Sequence, residues 1–274
     1  MIKSLKCYGK GVLISGAFVL FNAVQALSAS VPEAAKSADV VLLGEIHDNP
    51  THHQVQAEFL SELRPKAVVW EMLTAEQAAR IEADWLNDPE RLEQELDWAN
   101  SGWPDFALYA LLFRAAQDAL HVGAMVPRDA ARQVMTDGAA AFFGAQAALY
   151  GLDAPLPEDE QTQREADQQV NHCNAMPEEM LPLMVDFQRL RDASLARAAV
   201  EALEQTGGPV AVITGNGHAR KDRGAPVYLL HARPDLTLFA LGQSEDGVTS
   251  GVFDMVLDAP GIEREDPCKA FEKQ

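Results

Sequence analysis

The fold is decided by the stretch Val40-Val-Leu-Leu-Gly-Glu-Ile-His-Asp-Asn-Pro-Thr-His-His53. Its apolar run, Val40–Leu43, predicts a buried strand that ends at Gly44 in a loop rich in polar residues. Asn49 and Pro50 predict the start of a helix, with asparagine as the N-cap and proline in the first helical position. Because α/β folds place their sites at the carboxyl ends of strands, this loop is the first candidate for function.

Apolar strand candidates alternate with helical stretches along the chain, which predicts an α/β fold with a mixed, mostly parallel central sheet. The predicted strands cover residues 40–43, 67–71, 122–126, 210–214, 227–231, 236–241 and 253–257. The helical sequence is concentrated in two insertions, at about 74–120 and 129–206, which we expect to form a lid. Residues 27–274 are therefore expected to form a single domain.

The first 26 residues have the pattern of a cleaved signal peptide. Three lysines precede the apolar segment Gly11–Val24, and small residues follow it near Ala26. The segment falls short of the roughly 20 apolar residues that span a bilayer. We therefore expect export to the periplasm and no membrane insertion once the signal peptide is removed. An oxidising compartment permits Cys173 and Cys268 to pair, but their positions alone leave the pairing open.

Composition and missing motifs exclude several classes of function. The formal net charge of −19 argues against nucleic acid or an anionic membrane as a partner held by charge. The sequence has no Gly-Lys-Ser/Thr, which argues against a nucleotide-binding P-loop. It also lacks Gly-x-Ser-x-Gly, the usual signature of a serine hydrolase of the α/β class.

Three predicted strands carry acidic or imidazole side chains just after their ends: Glu45 and His47, then Glu71, then His218. Parallel strands end at the same edge of a sheet, so we expect these side chains to meet in one crevice. Two imidazoles and a carboxylate (His47, His218 and Glu71) match the ligand set of a catalytic metal site with an open position. Spacing alone leaves open the alternative that each is a separately satisfied polar residue at a strand end.

Other candidates lie on the predicted helices and beyond the last of these loops. His52 and His53 fall in the first helical turn, where the positive end of the helix dipole favours neutral imidazoles able to bind a metal; solvation of His53 is the alternative. Arg191 lies on the apolar stripe of a long predicted helix and needs an acidic partner or a ligand carboxylate, unless it reaches past the margin of the stripe to solvent. Arg220 is placed to attract an anionic group.

Four segments of the sequence carry a resemblance to a known family: Leu43-Gly-Glu-Ile-His-Asp-Asn-Pro-Thr-His-His-Gln54, Val69-Trp-Glu71, Gln188-Arg-Leu-Arg-Asp-Ala193 and Thr214-Gly-Asn-Gly-His-Ala-Arg220. Together they resemble the ChaN-like family, in a superfamily with the Tiki, TraB and erythromycin-esterase-like proteins. The resemblance spans roughly residues 38–242. It implies an α/β fold with helical insertions and a haem-binding protein of iron acquisition, with two haems held between paired protomers and therefore a homodimer.

The resemblance implies a haem site built from the imidazoles and cations already described. Its candidate residues are His47, His52, His53, Arg191, His218 and Arg220. An imidazole would ligate the iron and cations would meet the propionates, for which Lys221 and Arg128 are further candidates. Met125 stands where family members are expected to have asparagine, and its thioether could pack against a porphyrin or ligate its iron.

The wider superfamily implies a hydrolase as the alternative. Similarity to the Tiki proteins implies a protease whose divalent metal, such as Mn, Co or Zn, is held by His47, His218 and Glu71. Similarity to the esterase-like proteins implies a reaction built on Glu45 and His47. In either case Glu45 or Glu71 would activate water. A third hypothesis is a binding module in which the polar cluster only braces its loops.

Overall fold

The computed structural model describes residues 30–127 and 130–270. The strands in these residues are β1 (Val40–Glu45), β2 (Ala67–Trp70), β3 (Leu120–Gly123), β4 (Val210–Gly215), β5 (Leu238–Glu245) and β6 (Met255–Ala259). The helices are α1 (Glu33–Lys36), α2 (Pro50–Leu63), α3 (Ala75–Ala79), α4 (Pro89–Glu95), α5 (Phe106–Ala115), α6 (Ala130–Asp137), α7 (Ala139–Phe143), α8 (Glu158–Asn171), α9 (Leu181–Thr206), α10 (Asn216–Ala219) and α11 (Ala225–Ala232). Short 3-10 helices cover Trp85–Asn87, Trp98–Asn100, Glu178–Met180 and Pro267–Ala270.

The described strands form one sheet in the order β3-β2-β4-β1-β5-β6. Every ladder between them is parallel, and antiparallel pairing within the described residues is confined to an isolated bridge between Glu245 and Val248. The α/β class predicted from the sequence is thus confirmed. The register pairs Gly44 with Thr214 and Trp70 with Ile213, so the carboxyl ends of β1, β2 and β4 lie side by side.

Alternating side chains of the inner strands pack against helices on the two faces of the sheet, because successive residues of a strand point to opposite sides. On one face, Leu43 and Trp70 pack with residues of α2 and α5, such as Phe59 and Phe113. On the other face, the partners of the sheet come from α9 and α11. The two insertions that the sequence predicts therefore divide between the faces, with α5 from the first and α9 from the second.

The predicted strand at residues 227–231 is wrong, because this segment lies within α11. Tyr228 and Leu229 are buried, whereas Val227 and Leu230 are exposed, so only one side of the segment faces the core. A short apolar run fits a buried strand and a core helix equally well by periodicity. The sequence does carry a helix signal, since Pro226 lies in the first turn of α11.

The pairing of the two cysteines is settled by the structure, whereas the predicted signal peptide is not described by it. Cys173 and Cys268 form a disulfide with their Cα atoms 5.5 Å apart. The predicted signal peptide lies outside the described residues, as does Arg128. None of the helices in the described part of the chain combines the length and the hydrophobicity needed to span a bilayer.

Candidate functional site

A cavity of about 620 Å³ lies where the carboxyl ends of β1, β2 and β4 meet. It is walled by the loops after β1 and β4 and by parts of α8 and α9. Six residues proposed from the sequence line it: Glu45, His47, Glu71, Arg191, His218 and Arg220. The structure therefore brings together groups that lie far apart along the chain, as the parallel arrangement of the strands requires.

Glu71 lies at the end of β2 and is 3% exposed. Its Oε2 accepts hydrogen bonds from the Thr214 hydroxyl at 2.6 Å and from the Gly215 amide at 2.8 Å. Its Oε1 pairs with the Arg191 guanidinium, which gives the arginine on the apolar stripe its acidic partner. Burial opposes ionisation, but the charges of His218, His47 and Arg191 outweigh it and lower the pKa of Glu71 to about 2. The cavity therefore contains a fixed carboxylate at neutral pH.

His47 is oriented by the carboxylate two residues before it. Its Nδ1 lies 2.7 Å from Glu45 Oε1, which also accepts a hydrogen bond from the Tyr109 hydroxyl at 2.9 Å. Burial lowers the pKa of His47, but the hydrogen bond to Glu45 and the charge of Glu71 reverse this, and the pKa rises above its usual 6.5. The Nε2 edge faces Gly215, where a Cβ would lie 3.0 Å from Nε2, so a side chain at this position would crowd the ring.

His218 has the same kind of support from a different element. It lies in α10, and its Nδ1 is 2.7 Å from Oδ1 of Asp192, a buried residue of α9. Its Nε2 lies 3.5 Å from Glu71 Oε1. Burial raises the pKa of Asp192 even though the charge of His218 acts to lower it. Both histidines are thus held at Nδ1 by a carboxylate, an arrangement that fixes the tautomer of ligating and acid–base histidines.

His52 and His53 do not line the cavity, and both are fully buried. The Ile46 amide donates to Nδ1 of His52 at 2.9 Å, and Nε2 of His52 lies 3.2 Å from the Ser244 carbonyl oxygen. Burial lowers the pKa of His52, which favours its neutral form. Nε2 of His53 is 2.9 Å from the His47 carbonyl oxygen. These two histidines therefore brace the loop that carries His47.

The cations around the cavity are already paired with acids. Arg220 binds Asp222, with its Nε 2.9 Å from Oδ1, and Lys221 binds Asp254 at 2.6 Å. Two further arginines that sequence reasoning missed, Arg164 and Arg223, also line the cavity and pair with Glu160 and Asp167 respectively. Met125 is half-buried but lies outside the cavity lining.

Gln243 of β5 was not predicted, although it connects the two histidine loops. Its Nε2 donates to the carbonyl oxygens of Gly44 at 2.7 Å and His52 at 3.1 Å. Its backbone N–H donates to Asn216 Oδ1 at 2.9 Å, and its carbonyl oxygen accepts from Asn216 Nδ2 at 2.7 Å. Gln243 is 1% exposed, and its place directly after the apolar run of β5 is the sequence signal that could have identified it.

The metal-site alternative gains no support from this geometry. Within residues 30–127 and 130–270, no group of three or more histidine, cysteine, aspartate or glutamate side chains is arranged to hold a metal ion. The oxygens of Glu71 are taken by Thr214, Gly215 and Arg191. The cavity offers two oriented imidazoles and arginines, all held by carboxylates.

Comparison with known proteins gives the family. The family described as haem-binding uptake, Tiki superfamily, ChaN matches residues 31–229. The chain belongs to this family. The match includes β1 to β4, and therefore every strand that delivers a histidine or glutamate to the cavity. A search of curated proteins finds no match.

Among solved structures, the chain is similar to one described as cofacial haem binding to ChaN of Campylobacter jejuni. The identity is 20%, the TM-score is 0.61, and the match covers 81% of this chain and 87% of that one. The type III effector HopBA1 gives 13% identity and a TM-score of 0.45 over 83% of this chain and 90% of its own. A Bacillus cereus protein gives the same identity and TM-score over 77% of this chain and 67% of its own. At 20% identity, the likeness to the Campylobacter jejuni structure shows the fold.

Proposed function

We propose that this protein is exported, binds haem, and serves in haem or iron acquisition. The observation that carries the proposal is the match of residues 31–229 to the haem-binding ChaN family. The fold supports it, since the chain is similar over most of its length to the Campylobacter jejuni ChaN. The cavity at the strand ends is the place where we propose that the protein holds the iron and the propionates.

The side chains around the cavity fit the iron and the charged groups of a haem. When bound, haem would supply an iron that accepts an imidazole as a ligand. We propose His47 as this ligand, because its side chain is one-third exposed and Glu45 already fixes its ring. Arg191 and Arg220 line the cavity and would meet propionates through the N–H groups that Glu71 and Asp222 leave free.

The macrocycle needs an apolar surface, and the cavity lining supplies little of it. Apart from its glycines, the lining is polar or charged except for Ile46 and Val185. Trp103 packs edge-on against His47, with the ring centroids 4.9 Å apart, and adds aromatic surface beside the proposed ligand. We therefore propose that Trp103 beside the cavity, with Ile46 and Val185 of its lining, would offer the apolar surface for the macrocycle.

Export and pairing of protomers complete the proposal. The signal-peptide pattern of the first 26 residues and the disulfide between Cys173 and Cys268 are both typical of an oxidising compartment such as the periplasm. Cofacial haem binding in the Campylobacter jejuni ChaN suggests that a homodimer of this chain would place two haems face to face.

The proposal is tested by titrating the purified mature protein with haemin and following the Soret band. Wild-type protein should give saturable binding, and His47→Ala should weaken it by about tenfold or more, because the iron would lose its proposed ligand. His231→Ala is the control, because His231 is exposed, binds the Leu149 carbonyl oxygen and lies outside the cavity lining. Folded wild-type protein that shows no saturable band would refute haem binding. Equal effects of the two substitutions would refute His47 as the ligand.

A further inference from the structure

The segment 260–268, here called the C-terminal strap, connects two walls of the cavity. It follows β6 and lies beyond residues 31–229, so the family match does not include it. One part of the strap contacts the loop after β1, and its end is bonded covalently to the segment that follows α8. The strap therefore joins the loop that carries His47 to the segment after α8.

The first contact is made by Arg264. Its Nε and Nη2 donate to the two carboxylate oxygens of Asp48, both at 2.7 Å. Its Nη1 and Nη2 donate to the two oxygens of Glu245, both at 2.6 Å. Glu245 also accepts a hydrogen bond from Asn49, the N-cap of α2, at 2.6 Å. One guanidinium therefore holds Asp48, the residue after His47. Through Glu245 it also holds the start of α2.

The second contact is the disulfide between Cys268 and Cys173, two residues after the end of α8. α8 supplies Arg164, Asp167 and Gln168 to the cavity wall. Arg164 is also the only buried residue of this helix, so α8 has almost no apolar anchorage. A helix with so few buried contacts opens locally at low cost unless something else restrains it.

We propose that the C-terminal strap positions both walls of the cavity. Arg264 is a positioning residue that holds the loop of His47 through Asp48 and Glu245. The Cys173–Cys268 disulfide holds α8 over the cavity. Cutting either restraint loosens the wall that it holds while the central sheet stays folded.

The Arg264 clamp is tested by hydrogen exchange on the full mature chain. The reporters are the amides of Ile46 and Asn49, whose hydrogen bonds lie within the loop. Arg264→Ala should speed their exchange about tenfold, since the loop loses the charge-assisted hydrogen bonds that hold Asp48. Arg264→Lys should give a smaller increase, because lysine keeps the charge and loses the bidentate geometry.

Two controls separate positioning from general stability. Arg233→Ala removes an arginine of matched exposure, 33% against 32%, whose acid partners Asp235 and Glu204 lie away from the loop. The amide of Val212 in the central sheet reports global unfolding. Loop exchange that is unchanged in Arg264→Ala, that rises equally in Arg233→Ala, or that rises in step with Val212 would overturn the clamp.

The disulfide is tested on folded protein with a dithiol reductant, which avoids variants that fail to fold. The disulfide takes up two electrons and two protons to give two thiols, and the dithiol becomes a disulfide. Reduction should speed amide exchange in α8 about tenfold or more and leave the Val212 amide unchanged. Unchanged exchange in α8 would overturn the covalent part of the proposal.

The consequence for ligand binding rests on the proposed haem function. If His47 ligates iron, Arg264→Ala and reduction should each weaken haemin binding about tenfold, with the smaller loss in Arg264→Lys. The exchange measurements need no haem, so a wild-type protein that fails to bind haemin refutes the proposed function and leaves the strap to be judged by exchange. Haemin affinity that stays constant while the loop loosens would refute the link between the strap and the ligand.

Discussion

α8 and α9 belong to the same insertion and both line the cavity, yet they are held in opposite ways. α9 buries half of its 26 residues, and it places Arg191 against Glu71 and Asp192 against His218. α8 has 14 residues and buries one of them, Arg164. Because apolar burial is the main stabilising term in folding, α9 forms a fixed wall and α8 a weakly anchored cover.

The largest effect should come from the core face of α9. Leu190 is fully buried, so Leu190→Ala should lower the free energy of unfolding by about 2–5 kcal/mol. Val170 of α8 is 67% exposed, so Val170→Ala should change it by about 0.5 kcal/mol or less. Urea denaturation followed by circular dichroism measures both. Similar losses from the two substitutions would remove the distinction between the helices.

A second test asks how firmly charge fixes α9 to the sheet. Glu71→Gln leaves Arg191 without its carboxylate, and we expect a loss of about 2–3 kcal/mol near pH 7. The folded-state pKa of Glu71 is lowered to about 2 from 4.5, so its contribution to stability is present above pH 4.5 and is lost as the pH falls from 4.5 towards 2. Denaturation curves at several pH values should therefore converge for wild type and variant at the acid end. A gap that persists at pH 2 would contradict this assignment.

A small effect should also come from the ion pair between Arg223 and α8. Arg223 contacts Asp167 at 2.6 Å, with 17% and 49% of the two side chains exposed. Arg223→Ala should cost less than about 1 kcal/mol, because water and salt screen such pairs. The difference from wild type should shrink further in about 1 M salt. A loss as large as that of Leu190→Ala would show that α8 is anchored by charge after all.

The sequence could predict the convergence of His47, Glu71 and His218, because each follows an apolar run that reads as a buried parallel strand. Parallel strands then place the three residues at one edge of the sheet. The partners that orient the histidines were harder to predict. The pairing of Asp192 with His218 could not be predicted, since helical periodicity gives a residue's stripe and not its contact across the fold.

The remaining differences between sequence and structure also arise because local patterns do not give contacts between residues that are far apart in the chain. His52 and His53 follow the asparagine and proline that start α2, and this placement suggested ligands, but the fold turns both rings into the core. The run at 227–231 was assigned to a strand because periodicity cannot decide the state of a short buried segment. Arg264 gave no signal, because its partners Asp48 and Glu245 are far away in the chain.

The side chain of Gln243 is hydrogen-bonded to the Gly44 end of β1, and its backbone is hydrogen-bonded to Asn216 in the loop of His218. Because one residue of β5 holds both, the spacing between the loops of His47 and His218 is set by the sheet and not by either loop alone.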